Sequence, residues 1–316
     1  MSTLDVQAQE KRRAPEAPFD DEDADIVVRS EDGVDFRLYK VVLCKSSHAF
    51  RDMFAAGSAP VNPDEMDEGG RPVVRLPESA RTLRLLFRLM YPVANGDLSD
   101  PNDIRALLTV LDKYCVEAFS STAEELLLSH AERSPEFAYA LAVRFRLPTV
   151  AKRAAQLTLR KPSGLVVLSE EDASFIPGLL YHRLVTFQNN AISVAANTVK
   201  TFTWPSVDRP APPPALPSDL CGCRRLGFVG GAGKVESTMP FWLMDYRTKC
   251  IAALQKAPVG SVVLEPELLF QTLGMYAQPS VCSECARRIS GPLHTFCRTL
   301  AAEIDRRVGE ITLELD

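Results

Sequence analysis

Residues 24–54, ADIVVRSEDGVDFRLYKVVLCKSSHAFRDMF, read as two short strands, a tight turn and a helix, in an order that leaves few folds open. Asp25 precedes Ile26-Val27-Val28, a β-branched run of the kind that fills strands. Glu31-Asp32-Gly33 supplies turn chemistry, and Val34, Phe36 and Leu38 then alternate with polar neighbours as a half-buried second strand does. Val41, Val42, Phe50, Met53 and Phe54 follow, with the polar cluster Lys45-Ser46-Ser47-His48 between them.

Beyond a polar loop at 57–72, Val73-Val74-Arg75-Leu76 predicts a third short strand, and Pro77-Glu78-Ser79 leads into a helix carrying Leu83, Leu86, Phe87 and Met90. Asp100 and Pro101 then mark a helix start, with Asp103 complementing the dipole. Ile104, Leu107, Leu108, Leu111, Tyr114, Cys115 and Ala118 recur at helical spacing. Cys115 on that stripe, and Cys44 beside apolar residues, read as small buried thiols.

From 121 to about 200 the pattern is helical. Thr122 and Glu125 are spaced as a capping box, Ser134-Pro135 opens a helix, and Pro148 ends that one and begins the next. A further helical segment spans roughly 174–199.

The opening stretch resembles a BTB/POZ domain through Asp25, Val27, Asp32-Gly33, Phe36, Lys40, Leu43, Ser47, Phe50 and Phe54. VVRLPES, followed by a Leu-rich helix ending in Tyr91-Pro92, is similar to BTB domains of fungal proteins in particular. The resemblance implies an α+β domain of short strands with a helical cluster at 19–121, devoted to protein interaction. It also implies that Asp25 and Lys40 form a charged pair in a partly buried pocket at a dimer face; the same two residues could equally fix the fold of each monomer. Tyr39 stands where the family usually has His. No apolar strand-helix of the swapping kind precedes Asp25, which leaves dimerisation open or confines it to a smaller interface.

The remaining divisions follow composition. Residues 1–18 are polar and read as a disordered tail, and 122–202 as a mainly α-helical extension. Six prolines between 205 and 217 make 203–219 a semi-rigid spacer. Residues 220–316 read as a small α-helical C-terminal domain, with Gly291-Pro292 expected to kink or break its long helix. The solvated face of that helix would hold Arg306 and Arg307, opposite Leu293, Phe296, Leu300, Ile304, Val308 and Ile311.

Cys221-Gly222-Cys223 and Cys282-Ser283-Glu284-Cys285 form two close thiol pairs. Such pairs can bring four thiolates to one tetrahedral zinc ion. The 58 residues between them exceed the spacing of the commonest zinc patterns, and the first pair is CxC. A structural zinc site, buried thiols and a redox pair all remain open. The arrangement is also similar to cysteine pairs near the C-terminus of fungal BTB proteins.

Catalytic spacing is hard to find. Gly230-Gly231-Ala232-Gly233-Lys234 departs from a phosphate loop, because Phe228 stands five before Gly233 and Val235 replaces the magnesium-binding Ser or Thr. His48, His130, His182 and His294 fall in different elements, and no GxSxG elbow occurs. A net charge of −5 offers no footprint for direct nucleic-acid binding. No apolar run reaches the roughly 20 residues of a membrane span, and the polar N-terminus is no secretory signal. The expectation is an intracellular protein, cytoplasmic or nuclear, with no certain cofactor beyond an eventual structural zinc. It would be a non-enzymatic adaptor or scaffold binding protein partners, a cullin-type ubiquitin ligase or a second copy among them. The alternatives are a BTB oligomerisation module in transcriptional regulation and, more remotely, a zinc or thiol redox enzyme built on the C-terminal cysteines.

Overall fold

The β-branched run forms β1 (Ile26–Arg29), buried along its whole length. β2 (Asp35–Leu38) returns antiparallel beside it, pairing Ile26 with Leu38 and Val28 with Phe36. The turn between them is locked by Ser30, whose amide donates to the Val34 carbonyl at 3.0 Å while its hydroxyl accepts from the Val34 amide at 2.9 Å. Gly33 takes φ 78° there, a left-handed conformation glycine adopts at little cost.

The computed structural model describes residues 16–56, 66–93, 98–161, 168–202, 225–229, 235–274 and 290–315. The chain divides into two compact units, Met1–Ser129 and His130–Asp316.

In the first unit, β3 (Val73–Arg75) lies parallel to β1 on the side away from β2, giving the order β2-β1-β3. A parallel pair needs a crossover. Here the crossover includes α1 (Lys40–Ser46) and α2 (His48–Ala56). α3 (Ala80–Met90) starts at Ser79, whose hydroxyl accepts from the Thr82 amide, and buries Leu83, Leu86, Phe87 and Met90. It packs on α4 (Pro101–Lys113), capped as expected by Asp100 accepting from the Asn102 amide at 2.9 Å.

α4 ends differently from the sequence expectation. Cys115 adopts φ 47° and is exposed. Its amide donates to Asp112 and that of Val116 to Leu111, so the chain leaves the helix through a left-handed closing turn. That turn takes Cys115 off the apolar stripe, and Cys44 is only half-buried. α5 (Phe119–Ala131) begins three residues before Thr122, so Thr122 and Glu125 lie inside the helix and cap nothing. The unit's core joins Ile26, Val28, Phe36, Leu38, Leu43, Phe50, Leu83, Phe87, Ile104 and Leu108.

The second unit opens with α6 (Pro135–Arg144) packed on α7 (Pro148–Thr158), whose facing alanines allow close approach. α8 (Glu170–Phe175) and the long α9 (Gly178–Thr201) follow. An antiparallel hairpin, β4 (Arg225–Val229) and β5 (Val235–Pro240), comes next. The helical reading of 220–316 does not contain this hairpin; Gly227 and the polar Glu236-Ser237-Thr238 interrupt any clean period-2 signal. α10 (Phe241–Leu254), a 3-10 turn (Gly260–Leu264), α11 (Pro266–Gly274) and α12 (Ser290–Gly309) complete the unit.

α9 packs on α10 and α12. The face of α12 read from the sequence is the one observed, with Leu293, Phe296, Leu300, Ile304 and Val308 buried against Tyr246, Cys250 and Val199 of the same core. Pro292 sits in the first turn of α12, where its missing N–H has no helical partner to lose. Among the described residues no helix is long and apolar enough to cross a membrane.

Candidate functional site

Asp25 and Lys40 are brought together at the junction of β1 and α1, through the backbone. The Asp25 carboxylate accepts the Lys40 amide at 2.8 Å, satisfying a donor that the first turn of α1 leaves open. Asp25 is exposed and Lys40 half-exposed. No ion pair joins their side chains, and the Lys40 ammonium has no partner among the described residues. Beside it Val41 is 57% exposed, the most exposed of the large apolar side chains described in this unit.

Tyr39 holds this junction from the other side. Its amide donates to the Tyr91 hydroxyl at 2.7 Å, and its own hydroxyl donates to the Asp21 carboxylate. That bond raises the Tyr39 phenol to about 12 and holds the Asp21 carboxyl below its ordinary range. Burial pushes the Tyr91 phenol up to about 12 as well. Tyr39 therefore acts as a neutral hydrogen-bonding strut where a histidine could change charge.

Residues before β1 are structured by one side chain. Phe19 is 1% exposed and meets Phe36, Phe87 and Tyr91 edge-on at centroid distances of 5.9, 6.0 and 5.6 Å. The Phe19 carbonyl accepts from the Arg37 amide at 2.9 Å, so this segment lies along the open side of β2 in its own chain. Covering a strand edge removes a template for pairing with other chains.

A second cluster joins the two ends of the unit. Ser47 is fully buried; its hydroxyl donates to the Tyr114 carbonyl at 2.5 Å and accepts from the Phe50 amide at 3.1 Å, starting α2. The Tyr114 ring stacks on Phe50 at 4.9 Å, and its hydroxyl donates to Glu78 at 2.7 Å. Lys113 also binds Glu78. Burial first, and Glu78 second, push the Tyr114 phenol well above its usual value. On the surface nearby, Arg51 reaches Glu117 at 3.2 Å and the Cys44 carbonyl at 2.9 Å.

The residues that sequence reasoning missed here are Phe19, Tyr91, Arg29 and Asp35. Arg29 and Asp35 do occupy equivalent places at the ends of the predicted strands, which is a usable signal for a cross-strand pair.

Cys221, Cys223, Cys282 and Cys285 lie outside the described residues, as do the Pro-rich spacer and the Gly230–Lys234 loop. Among the described residues no three His, Cys, Asp or Glu side chains are grouped to hold a metal ion. Cys250 and Cys297 are buried thiols in the core of the second unit; burial raises them to about 12 and about 11. Such thiols are poor nucleophiles at neutral pH.

Two comparisons bear on identity. The model of the BTB/POZ domain family matches residues 17–131, the span that holds the three-stranded sheet and α1 to α5. No curated protein matches the chain. The match begins two residues before Phe19 and ends at the last residue of α5, and the chain accordingly carries a BTB/POZ domain, a protein-interaction module, at residues 17–131.

Proposed function

We propose that the chain is a non-enzymatic adaptor whose BTB/POZ domain docks a cullin-type ubiquitin ligase while its helical remainder holds a second protein. The observation supporting this reading is the surface at the start of α1. Asp25 is satisfied by a backbone amide, which leaves the Lys40 ammonium and the 57% exposed Val41 side by side with no intramolecular use. An exposed apolar side chain beside an unpaired charge offers a partner both desolvation and orientation. Recognition of this kind makes and breaks no covalent bond.

The test uses the purified full chain and the N-terminal domain of a cullin, with light scattering to follow self-association. Binding of the cullin fragment is expected, and a Lys40→Glu, Val41→Asp variant with an unchanged circular dichroism spectrum should bind at least about tenfold more weakly, equivalent to about 1.4 kcal/mol. Self-association without cullin binding would replace this reading with an oligomerisation module. A monomer that ignores the cullin would overturn it.

A further inference from the structure

The second unit contains a cleft of about 410 Å³ lined by Ala142, Val143, Leu147, Ala151, Pro177, Leu180 and other apolar residues, with one charged side chain, Arg146, at its wall. Arg146 is placed there by the end of α6. Phe145 closes the helix, the Arg146 amide donates to the Val143 carbonyl at 3.2 Å, and the Leu147 amide donates to Ala142 at 2.8 Å. This closing turn requires its middle residue to be left-handed, and Arg146 has φ 57°. Glycine is the ordinary choice at such a position because a Cβ is strained there. The same turn ends α4 at Cys115.

Arg146 returns nothing to the fold for that strain. Its neighbour Arg144 stacks on Phe175 at 4.1 Å and Phe145 at 5.0 Å. Arg146, by contrast, is exposed and its guanidinium has no hydrogen bond, ion pair or ring contact among the described residues. A strained backbone residue with an unused cation, at the rim of an apolar cleft, is the arrangement expected of a ligand clamp. The chemistry it would accept follows from the lining: an apolar wall, to which Leu315 also contributes, asks for an apolar group, and the unused cation at the rim asks for an acidic one.

We infer that this cleft binds a short peptide segment of a partner protein in which a bulky apolar side chain lies next to an aspartate or glutamate. The apolar side chain fills the space between Leu147, Ala151, Pro177 and Leu180, and the carboxylate takes a forked pair of hydrogen bonds from Arg146. The inference deepens the adaptor reading by giving the second unit its binding site, and rests on that reading for the partner's being a protein.

The probe is a random-peptide phage library selected on the full chain, with the Arg146→Ala full chain as counter-selection. Selected peptides are expected to pair Leu, Ile, Phe or Met with an adjacent Asp or Glu. A synthetic copy of one should bind the Arg146→Ala and Leu180→Asp variants at least about tenfold more weakly than the wild type by fluorescence anisotropy. Its acid-to-amide analogue should show the same loss on the wild type and no further loss on Arg146→Ala. Arg146→Gly separates this role from a structural one: it should raise the denaturation midpoint, because the strain is relieved, while losing the peptide. Equal binding by wild type and Arg146→Ala, absence of acids from the selected peptides, or no enrichment at all overturns the inference. Since the peptides report on the cleft alone, cullin binding by the same protein stands or falls separately.

Discussion

Arg29 and Asp35 face each other across β1 and β2 and lock the end of that pair with a forked contact, Nε to Oδ1 at 2.5 Å and Nη2 to Oδ2 at 2.8 Å. Their side chains are 6% and 16% exposed, so the pair is largely withdrawn from water. The hydrogen bonds that Arg29 donates to Asp35 outweigh burial and raise its guanidinium above its ordinary value. The pair sits at the turn that sets the register of the sheet on which α1, with its half-exposed Lys40 and exposed Val41, is mounted.

Removing one partner therefore leaves a buried, uncompensated charge. Asp35→Ala is expected to destabilise the BTB/POZ domain by about 3–5 kcal/mol, the range for breaking buried pairs. Replacing both, as Arg29→Met with Asp35→Leu, should recover most of that loss, because two apolar side chains strand no charge. Both tryptophans, Trp204 and Trp242, lie beyond residues 17–131, so amide hydrogen exchange across β1 and β2 is the measurement that resolves this domain. A single variant as stable as the wild type would contradict the argument.

Phe19 carries the segment ahead of β1. Phe19→Ala should cost about 3–5 kcal/mol, since it empties a site shared by three aromatic rings. The Arg37 amide, which donates to the Phe19 carbonyl, should lose its exchange protection first. With the side of β2 uncovered, the variant should also self-associate more readily than the wild type, as a rise in mass by light scattering. Retained Arg37 protection would show that the edge is held by something other than Phe19.

How much of this was legible depended on whether a signal was local. Asp100-Pro101, Ser134-Pro135 and Pro148 mark helix starts with chemistry that acts within one turn, and each helix begins there. The α12 core stripe is equally local, because its apolar residues repeat at the helical period. Periodicity places Cys115 on the stripe because it carries no information on where a helix closes; the left-handed closing residue is Cys115 itself, and its side chain leaves the stripe while Val116 stays buried. Phe19 and Tyr91 could not be paired from sequence, since their contact depends on a sheet assembled from segments 72 positions apart. Asp25 and Lys40 were linked by resemblance, yet a resemblance names residue types and says nothing of whether a carboxylate meets an ammonium or a backbone amide.

Acid sensitivity should concentrate at the end of α12. Glu303 accepts from Arg306 at 2.8 Å and from Arg307 at 2.5 Å, and these bonds, Arg306 first, hold its carboxyl at about 2 against an ordinary 4.5. A carboxylate depressed in the folded state stabilises it above the unfolded pKa. That contribution fades as pH falls from about 4.5 toward about 2. Glu303→Gln should flatten the loss of stability in that window by lowering stability at neutral pH, where the contribution is fully present, and by converging with the wild type near about pH 2. Salt screening of these partly exposed pairs keeps the difference small. Carbon-detected titration of Glu303 giving an ordinary midpoint would refute the linkage.

Among the described glycines of the second unit, Gly260 presents the sharpest steric constraint. A methyl group there would sit 2.3 Å from the Ala301 carbonyl oxygen and 2.6 Å from the Asp305 carboxylate, both on α12. The Gly260 amide meanwhile donates to Asp305 at 2.6 Å, fixing the 3-10 turn against that helix. Backbone cannot retreat as a flexible side-chain end can, so Gly260→Ala must push the turn away from α12 and break the Asp305 bond. Overpacking of this kind costs about 1–3 kcal/mol, and a stranded hydrogen-bonding group adds about 1–3 more. The expected result is a lower denaturation midpoint, with exchange protection lost first at residues 260–264 and along the facing side of α12. Asp305→Ala should reproduce the smaller part of that loss without the steric part, and a Gly260→Ala protein no weaker than Asp305→Ala would show that the turn has room to move.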